Sequence, residues 1–164
     1  PPRSTLFPYT TLFRSLMTMS PSKTLLIVED SDDDFFATER AFRKSGLANP
    51  IVRCSTGDQA LDYLFHRGEY AALADSHPAI VLLDLNLPGT DGREVLRQVK
   101  LDPTLGKIPV IVLTTSDAEP DIEACYKAGA NSYVQKPVDL KGFFDAIARL
   151  KEYWLEVAVL PRTP

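Results

Sequence analysis

Cysteine, histidine and long apolar runs are all scarce in this chain of 164 residues, which contains two cysteines and two histidines. Cys54 and Cys125 have neither metal-ligand nor redox spacing, so we expect two buried, reduced thiols in a cytoplasmic protein. No segment approaches the roughly 18 apolar residues of a membrane span. The net charge of −4 offers no basic field for nucleic acid. These absences exclude a disulfide scaffold and argue against membrane and nucleic-acid binding.

The first fifteen residues differ in character from the rest of the chain. They read PPRSTLFPYTTLFRS, with no acidic residue and no apolar period, and they match the in-frame translation of a sequencing-library adapter. They have neither the apolar core nor the cleavage site of a signal peptide. We therefore interpret residues 1–15 as an assembly artefact, residues 16–22 as a disordered lead and residues 23–160 as one domain.

Short apolar runs alternate with segments of helical periodicity along the rest of the chain. Runs rich in Leu, Ile and Val predict five strands, at residues 23–29, 51–54, 79–85, 108–114 and 132–135. Apolar residues at helical spacing predict five helices, at residues 33–45, 57–65, 92–101, 120–129 and from 139 onwards. This alternation predicts an α/β fold, a doubly wound five-stranded parallel sheet flanked by five helices.

Polar and charged residues lie where the predicted strands end. Glu29 and Asp30 close the first strand, Asp84 interrupts the apolar segment AIVLLDLNL, and Thr114 and Lys136 end the fourth and fifth strands. Three carboxylates crowded at one sheet edge would repel one another by roughly 4 kcal/mol per pair at about 4 Å. A hard divalent cation such as Mg²⁺ relieves that repulsion. The pattern therefore indicates phosphoryl transfer, with Asp84 as nucleophile and with Lys136 and Thr114 on the phosphoryl oxygens.

Four short motifs together resemble the receiver domain of two-component response regulators. They are ED at residues 29 and 30, DLNLPGTDG from Asp84, TTS from Thr114 and KP from Lys136. The resemblance covers about residues 24–150 and implies a flavodoxin-like receiver fold. It also implies that a histidine kinase phosphorylates Asp84.

The resemblance further implies a set of Mg²⁺ ligands. Asp84 and Asp30 match direct ligands, Glu29 matches an acid that binds the metal through water, and Asn86 matches a ligand through its backbone carbonyl. By contrast, we expect the acids at residues 32–34 to fill the first turn of a helix, where negative charge is favourable, and not to bind metal.

The remaining motif residues match the groups that respond to phosphorylation. Lys136 matches the phosphate-binding lysine, and Thr114 with Tyr133 matches a pair that rearranges when the acceptor is phosphorylated. The resemblance also implies a cis peptide bond between Lys136 and Pro137. Ser116, two residues beyond Thr114, is a candidate for setting the lifetime of the phosphorylated state.

Two further segments are similar to the small, stand-alone regulators paired with bacteriophytochrome kinases. They are the loop FHRGEYAALADSHP before the third strand and EYWLEVAVLP near the C-terminal end. This narrower resemblance implies a sensor histidine kinase of the bacteriophytochrome type as partner, with a histidine phosphotransfer protein as an onward acceptor. The apolar residues from Trp154 onwards either pack back on the domain or form a partner surface, including that of a homodimer.

Two other classes of function remain open. A pseudo-receiver would bind proteins independently of phosphorylation, although the retained acids, threonine and lysine argue against a degenerate site. An Mg²⁺-dependent aspartyl phosphohydrolase would resemble a DxDGT pattern, and this chain has Asn86 where that pattern has its second, acid/base aspartate. We therefore expect no enzyme activity beyond self-phosphotransfer and slow autodephosphorylation.

Overall fold

The structure, a computed structural model, describes residues 23–73 and 76–161. The predicted adapter-derived segment and the lead that follows it lie outside these residues. Strands alternate with helices in the order β1 Leu25–Val28, α1 Asp32–Lys44, β2 Ile51–Cys54, α2 Gly57–Leu64, β3 Ile80–Leu83, α3 Gly92–Leu101, β4 Val110–Thr114, α4 Glu119–Lys127, β5 Ser132–Gln135 and α5 Leu140–Lys151. Shorter helical turns occur at Gly68–Leu73, Leu105–Lys107 and Glu152–Val157. Within the described ranges, no helix is both long and apolar enough to cross a bilayer.

The five strands form one parallel sheet in the order β2-β1-β3-β4-β5. β1 pairs with β2 on one side and with β3 on the other, so Leu25 lies between Ile51 and Ile80. Every residue of β1, β3 and β4 is buried, which accounts for the continuous apolar runs of these strands. The predicted doubly wound parallel sheet with five helices is confirmed. The strand order reverses between β1 and β3, the place where such folds bind ligands.

Two hydrophobic clusters, one on each face of the sheet, hold the helices. Leu26 and Val28 of β1 face the cluster of α2, α3 and α4, whereas Leu25 and Ile27 face the cluster of α1 and α5. This alternation follows from the two-residue period of a strand. Cys54 and Cys125 are both buried and unpaired, as predicted, and burial raises the pKa of the Cys54 thiol to about 12.

Polar side chains start four of the helices. Ser31, Thr56, Asp91 and Asp139 each accept a hydrogen bond from a backbone N–H in the first turn of the helix that follows. Three of these helices, α1, α2 and α3, follow the loops that leave β1, β2 and β3. The caps therefore fix the short loops that carry the acids at the carboxyl edge of the sheet.

The structure differs from the sequence prediction mainly at the ends of elements. β3 ends at Leu83, two residues earlier than predicted, so Asp84 follows the strand and does not belong to it. β4 begins at Val110 and not at residue 108, because Pro109 has no N–H to donate to the sheet. The peptide bond before Pro137 is trans, so the expected cis bond was wrong. The trans form is the lower-energy isomer even before proline, by about 0.5–1 kcal/mol.

The described part of the loop between α2 and β3, residues 65–73 and 76–79, is more regular than its polar sequence indicated. It contains the helical turn Gly68–Leu73, and Gln59 Nε2 donates to the Tyr70 hydroxyl at 2.7 Å. The rings of His66 and His77 stack in parallel with their centroids 4.4 Å apart. The Tyr70 ring also packs edge-on against the Tyr63 ring, with centroids 5.3 Å apart, so the turn Gly68–Leu73 is held against α2.

The apolar C-terminal residues divide between packing and exposure. Leu155 is buried, and Trp154 packs against the cluster of α1 and α5. Tyr153, Val157 and Val159 are exposed. The first alternative that the sequence left open, packing back on the domain, therefore holds for Trp154 and Leu155. The second alternative, a partner surface, stays a prediction for the exposed residues.

Candidate functional site

Asp84 lies at the first position after β3, where the chain leaves the sheet. Its backbone N–H donates to the Val28 carbonyl at 3.0 Å, which continues the sheet by one hydrogen bond. The side chain is 9% exposed, and its Oδ1 accepts from the Asn86 N–H at 3.2 Å. A carboxylate so far removed from water requires a counter-charge.

Lys136, which directly follows β5, supplies that charge. Its Nζ donates to Glu29 Oε2 at 2.6 Å, to Asp84 Oδ2 at 2.8 Å and to Asp34 Oδ2 at 2.8 Å. Burial by itself would lower the pKa of the Lys136 ammonium, but the hydrogen bonds to the three carboxylates outweigh it and hold that pKa above its ordinary value. Lys136 is therefore a cation that ties α1, β1 and β3 to the end of β5.

Three carboxylates form a cluster beside this ammonium group. One oxygen each from Glu29, Asp30 and Asp84 lies within 4.8 Å of the others. Glu29 and Asp84 are buried and Asp30 is exposed, so the cluster opens to solvent on one side. Burial raises the pKa of the Glu29 carboxyl even though Lys136 acts against that rise. An all-oxygen donor set with excess negative charge fits Mg²⁺ or another hard divalent cation.

Arg53, from β2, fixes the loop that carries two of these acids. Its guanidinium donates to the carbonyl oxygens of Glu29 and Asp30, both at 3.0 Å, and to Asp32 Oδ1 at 2.6 Å. It also lies over the Phe35 ring, 4.8 Å from the centroid. This role of Arg53 was not predicted, because nothing in the sequence of a weak edge strand indicates which side chain turns toward the neighbouring loop.

The loop from Asn86 to Asp91 is held from α2 and from its own turn. Thr90 donates its hydroxyl to Asp58 Oδ1 at 2.5 Å, and the Gly92 N–H donates to the Leu85 carbonyl at 2.9 Å. Gly92 packs so closely that a Cβ there would lie 2.2 Å from the Asp84 carbonyl oxygen. Asn86 is exposed at the mouth of the acidic cluster. The close approach of Gly92 thus sets where Asp84 leaves the sheet.

Thr114 and Tyr133 contact one loop from two sides. The Ser116 N–H donates to Thr114 Oγ1 at 3.4 Å, and the Tyr133 hydroxyl donates to the Ser116 carbonyl at 3.0 Å. Thr114 is buried and Tyr133 is half-buried. The backbone N–H of Lys136 donates to the Thr114 carbonyl at 2.7 Å. The predicted pair therefore meets through Ser116, next to the strand end that carries Lys136.

An ion-pair network links the Ser116 loop to the start of α3. Arg93 donates through Nε and Nη2 to Asp121, at 2.8 and 2.6 Å, and through Nη1 to Asp91 at 3.0 Å. Ser116 Oγ donates to Asp121 Oδ2 at 2.6 Å. Hydrogen bonds from Arg93 and then Ser116 lower the pKa of the Asp121 carboxyl to about 2. The network was not predicted, because its members are far apart in the sequence and form no motif.

The structure thus brings most of the predicted site residues together at one edge. Glu29, Asp30, Asp84 and Lys136 form one cluster, whereas Thr114 lies on the adjacent strand end. Asp34, which we expected only to fill a helix turn, contacts Lys136 directly. No sequence signal distinguished Asp34 from Asp32 and Asp33, which lie in the same first turn of α1.

Comparison with known proteins agrees with this geometry. Residues 25–148 match the family model of the response regulator receiver domain. This chain belongs to the response regulator receiver family. The receiver is 39% identical over 142 residues to the response regulator Rcp1 of Synechocystis sp., a match that covers 87% of this chain and 95% of Rcp1.

Solved structures extend the likeness to phytochrome systems. The phosphorylated cyanobacterial phytochrome response regulator RcpA is 41% identical, with a TM-score of 0.81 over 85% of this chain and 99% of that one. The bacteriophytochrome response regulator RtBRR is 43% identical, with a TM-score of 0.69 over 87% and 84% of the two chains. The Mn²⁺-bound form of Rcp1 has a TM-score of 0.80 at 39% identity, over 85% and 99%. The predicted resemblance to small regulators of phytochrome systems is confirmed.

Gly92→Ala should destabilise the receiver. The added methyl group would overlap the Asp84 carbonyl oxygen and Leu85 Cα, at 2.2 and 2.6 Å, and overpacking against backbone costs about 1–3 kcal/mol. We expect urea unfolding to give a free energy of unfolding lower by about 2 kcal/mol. Gly142→Ala is the matched control and should lose no stability, because the atoms nearest to its added Cβ belong to the movable Asp139 carboxylate and not to the backbone. Equal stability of Gly92→Ala and the wild type would contradict the close-packing argument.

The Asp121 network should contribute a pH-dependent part of the stability. The pKa of folded Asp121, about 2, lies below its ordinary value of 3.8, so ionised Asp121 stabilises the fold above about pH 4 and this stabilisation is lost as the pH falls toward 2. Asp121→Asn should therefore be less stable than the wild type by about 1 kcal/mol at pH 6 and by much less at pH 2. Urea unfolding across this range measures the gap, and Glu123→Gln on the same helix is the control. A gap independent of pH would refute the assignment.

Proposed function

We propose that this receiver is a single-domain response regulator that accepts a phosphoryl group on Asp84 from a sensor histidine kinase, with Mg²⁺ as cofactor. The observation that carries the proposal is the approach of Lys136 Nζ to Asp84 Oδ2, at 2.8 Å, inside a cluster of acids at the carboxyl edge of the sheet. A buried carboxylate with a fixed ammonium partner is suited to attack phosphorus and to stabilise the product.

In the proposed transfer, an Asp84 carboxylate oxygen attacks the phosphorus of the donor. A new oxygen–phosphorus bond forms while the bond from phosphorus to the donor atom breaks, and the leaving group departs with the electron pair. With a kinase, that donor atom is a histidine ring nitrogen. With a small donor such as acetyl phosphate, it is a carboxylate oxygen and acetate is released.

Four residues would hold the metal at this site. Asp30 and Asp84 would bind it directly, Glu29 would bind it through water, and Asn86 would offer its backbone carbonyl. When bound, Mg²⁺ supplies the positive charge that lets these acids and a phosphoryl group occupy one pocket. The Mn²⁺-bound form of Rcp1 supports a divalent cation in this family.

Lys136 and Thr114 would then meet the phosphoryl oxygens. The Lys136 ammonium already lies against Asp84, and the Thr114 hydroxyl ends the neighbouring strand. Movement of Thr114 toward the phosphoryl group would shift Ser116 and, through it, the Tyr133 hydroxyl, because Ser116 contacts both. Phosphorylation would thus bias the surface formed by α4, β5 and α5 between two arrangements.

The phytochrome regulators among its relatives support a kinase of the bacteriophytochrome type as the donor. RcpA is named a cyanobacterial phytochrome response regulator and RtBRR a bacteriophytochrome response regulator, and this chain covers 95% of Rcp1. The proposed regulator acts in the cytoplasm, a proposal that rests on its unpaired cysteines.

It signals by changing partners or by passing its phosphoryl group to a histidine phosphotransfer protein. Exposed Tyr153, Val157 and Val159 offer an apolar surface for a homodimer.

The alternatives have weaker support. A phosphohydrolase needs a second carboxylate near the nucleophile to transfer protons, and the matching position holds Asn86, whose amide cannot do so. A pseudo-receiver binds proteins without phosphorylation, so its function would not require a buried lysine in contact with the acceptor carboxylate. We therefore propose no turnover of exogenous substrates beyond slow loss of the protein's own phosphoryl group.

Incubation with acetyl phosphate tests the proposal. Intact-mass spectrometry of the wild-type protein should show one phosphoryl adduct that requires Mg²⁺, because Asp84 and Lys136 are already in place and the metal offsets the acidic charge. Asp84→Asn should show no adduct, and Asp30→Asn should need far more Mg²⁺.

Asp33→Asn is the matched control, since Asp33 is an exposed acid on the first turn of α1. It should form the adduct as the wild type does. An adduct that persists in Asp84→Asn, or a folded wild-type protein that forms none, would contradict the proposed function.

A further inference from the structure

The Lys136 ammonium group has no proton left for a phosphoryl group in this arrangement. An ammonium carries three N–H donors, and Nζ directs them to Glu29, Asp84 and Asp34 at 2.6, 2.8 and 2.8 Å. If Lys136 is to bind a phosphoryl oxygen, as the proposed function requires, one of these carboxylates has to release it. The chain therefore contains a competitor for the site that the phosphoryl group takes.

Asp34 differs from the other two carboxylates in exposure. Its side chain is 44% exposed, whereas those of Glu29 and Asp84 are 4% and 9% exposed. A half-exposed carboxylate regains water when its ion pair opens, so the opening costs little. Release of a buried carboxylate would leave an uncompensated charge in the interior and would cost far more. Asp34 is therefore the partner that can leave.

Asp34 is also separate from the metal-binding cluster and from the acceptor. Glu29 and Asp84 belong to the three acids whose oxygens lie within 4.8 Å of one another, and Asp34 does not. It lies in the first turn of α1 and lines the same groove as Pro137 and Leu140, beside Lys136. A negative charge at this place also repels an approaching phosphoryl donor.

We propose that Asp34 is a built-in competitor for the phosphoryl group, a carboxylate that occupies Lys136 before phosphorylation and must give up that contact when Asp84 is phosphorylated. This inference rests on the proposed function. Asp34 acts through Lys136 and so is a positioning residue. Its presence lowers both the rate of phosphorylation by a small donor and the affinity for a phosphoryl analogue.

The side chain of Asp34 can be replaced without loss of the hydrogen bonds that its backbone makes. Its N–H donates to Ser31 Oγ at 3.2 Å, and its carbonyl accepts from the Thr38 hydroxyl at 2.8 Å. Neither hydrogen bond involves the carboxylate. Both contacts remain in Asp34→Asn and Asp34→Ala, so the start of α1 should be preserved. Asp33→Asn removes the same charge from the same turn and is the matched control.

The experiment measures the rate of the acetyl phosphate adduct and the affinity for beryllofluoride, both with Mg²⁺, and the affinity for Mg²⁺ alone by calorimetry. Asp34→Asn and Asp34→Ala should form the adduct about threefold faster and bind beryllofluoride about threefold more tightly, the scale of one half-exposed ion pair. Their Mg²⁺ affinity should change by less than twofold. Asp33→Asn should match the wild type in all three measurements.

Three results would overturn the inference. The first is that both Asp34 variants keep the wild-type phosphorylation rate and beryllofluoride affinity. The second is that either variant is phosphorylated more slowly than the wild type. The third is that Asp33→Asn gains as much in rate and affinity as the Asp34 variants do, which would assign the effect to negative charge in general. Failure of the proposed function is distinguishable, because the wild-type protein itself would then form no adduct.

Discussion

The site depends on one ammonium group that neutralises acids from three parts of the chain. Lys136 contacts Glu29 at the end of β1, Asp84 at the end of β3 and Asp34 in α1, all within 2.8 Å. Without this cation, the buried carboxylates would repel one another and would lack the counter-charge that the interior requires. The same contacts that stabilise the carboxyl edge of the sheet also place a cation against the carboxylate that we propose as phosphoacceptor.

Around this centre, two arginines hold loops at the carboxyl edge of the sheet through hydrogen bonds. Arg53 holds the carbonyl oxygens of the acidic loop after β1, and Arg93 joins the start of α3 to the loop that contains Ser116. Each arginine joins two elements through several donors that its guanidinium holds in one fixed plane. The acidic site and the Thr114–Tyr133 pair are therefore positioned by neighbouring but separate sets of contacts. This separation suits the proposed function, in which a phosphoryl group binds in one place and the surface changes in another.

The strands and the acids that follow them could be predicted, with strand ends displaced by up to two residues, because they follow from composition. The contacts across the loops could not be predicted. A continuous apolar run that meets an acid, as at Asp84, indicates a buried parallel strand and its carboxyl end without any knowledge of the fold. Asp34, Arg53 and Arg93 carry no such signal, since an acid in a first helical turn or an arginine near a turn is common on solvated surfaces. Their roles depend on which side of a helix or edge strand faces the neighbouring loop. The trans bond before Pro137 was likewise not predictable from the motif KP.

The most direct test of the account is to locate the modified residue chemically. An aspartyl phosphate is reduced by borohydride to homoserine, and peptide mass mapping then identifies the position that has changed. After treatment with acetyl phosphate and Mg²⁺, the account predicts homoserine at residue 84 alone. Homoserine at residue 30 or 34, or a phosphate that survives on a serine or threonine, would contradict it.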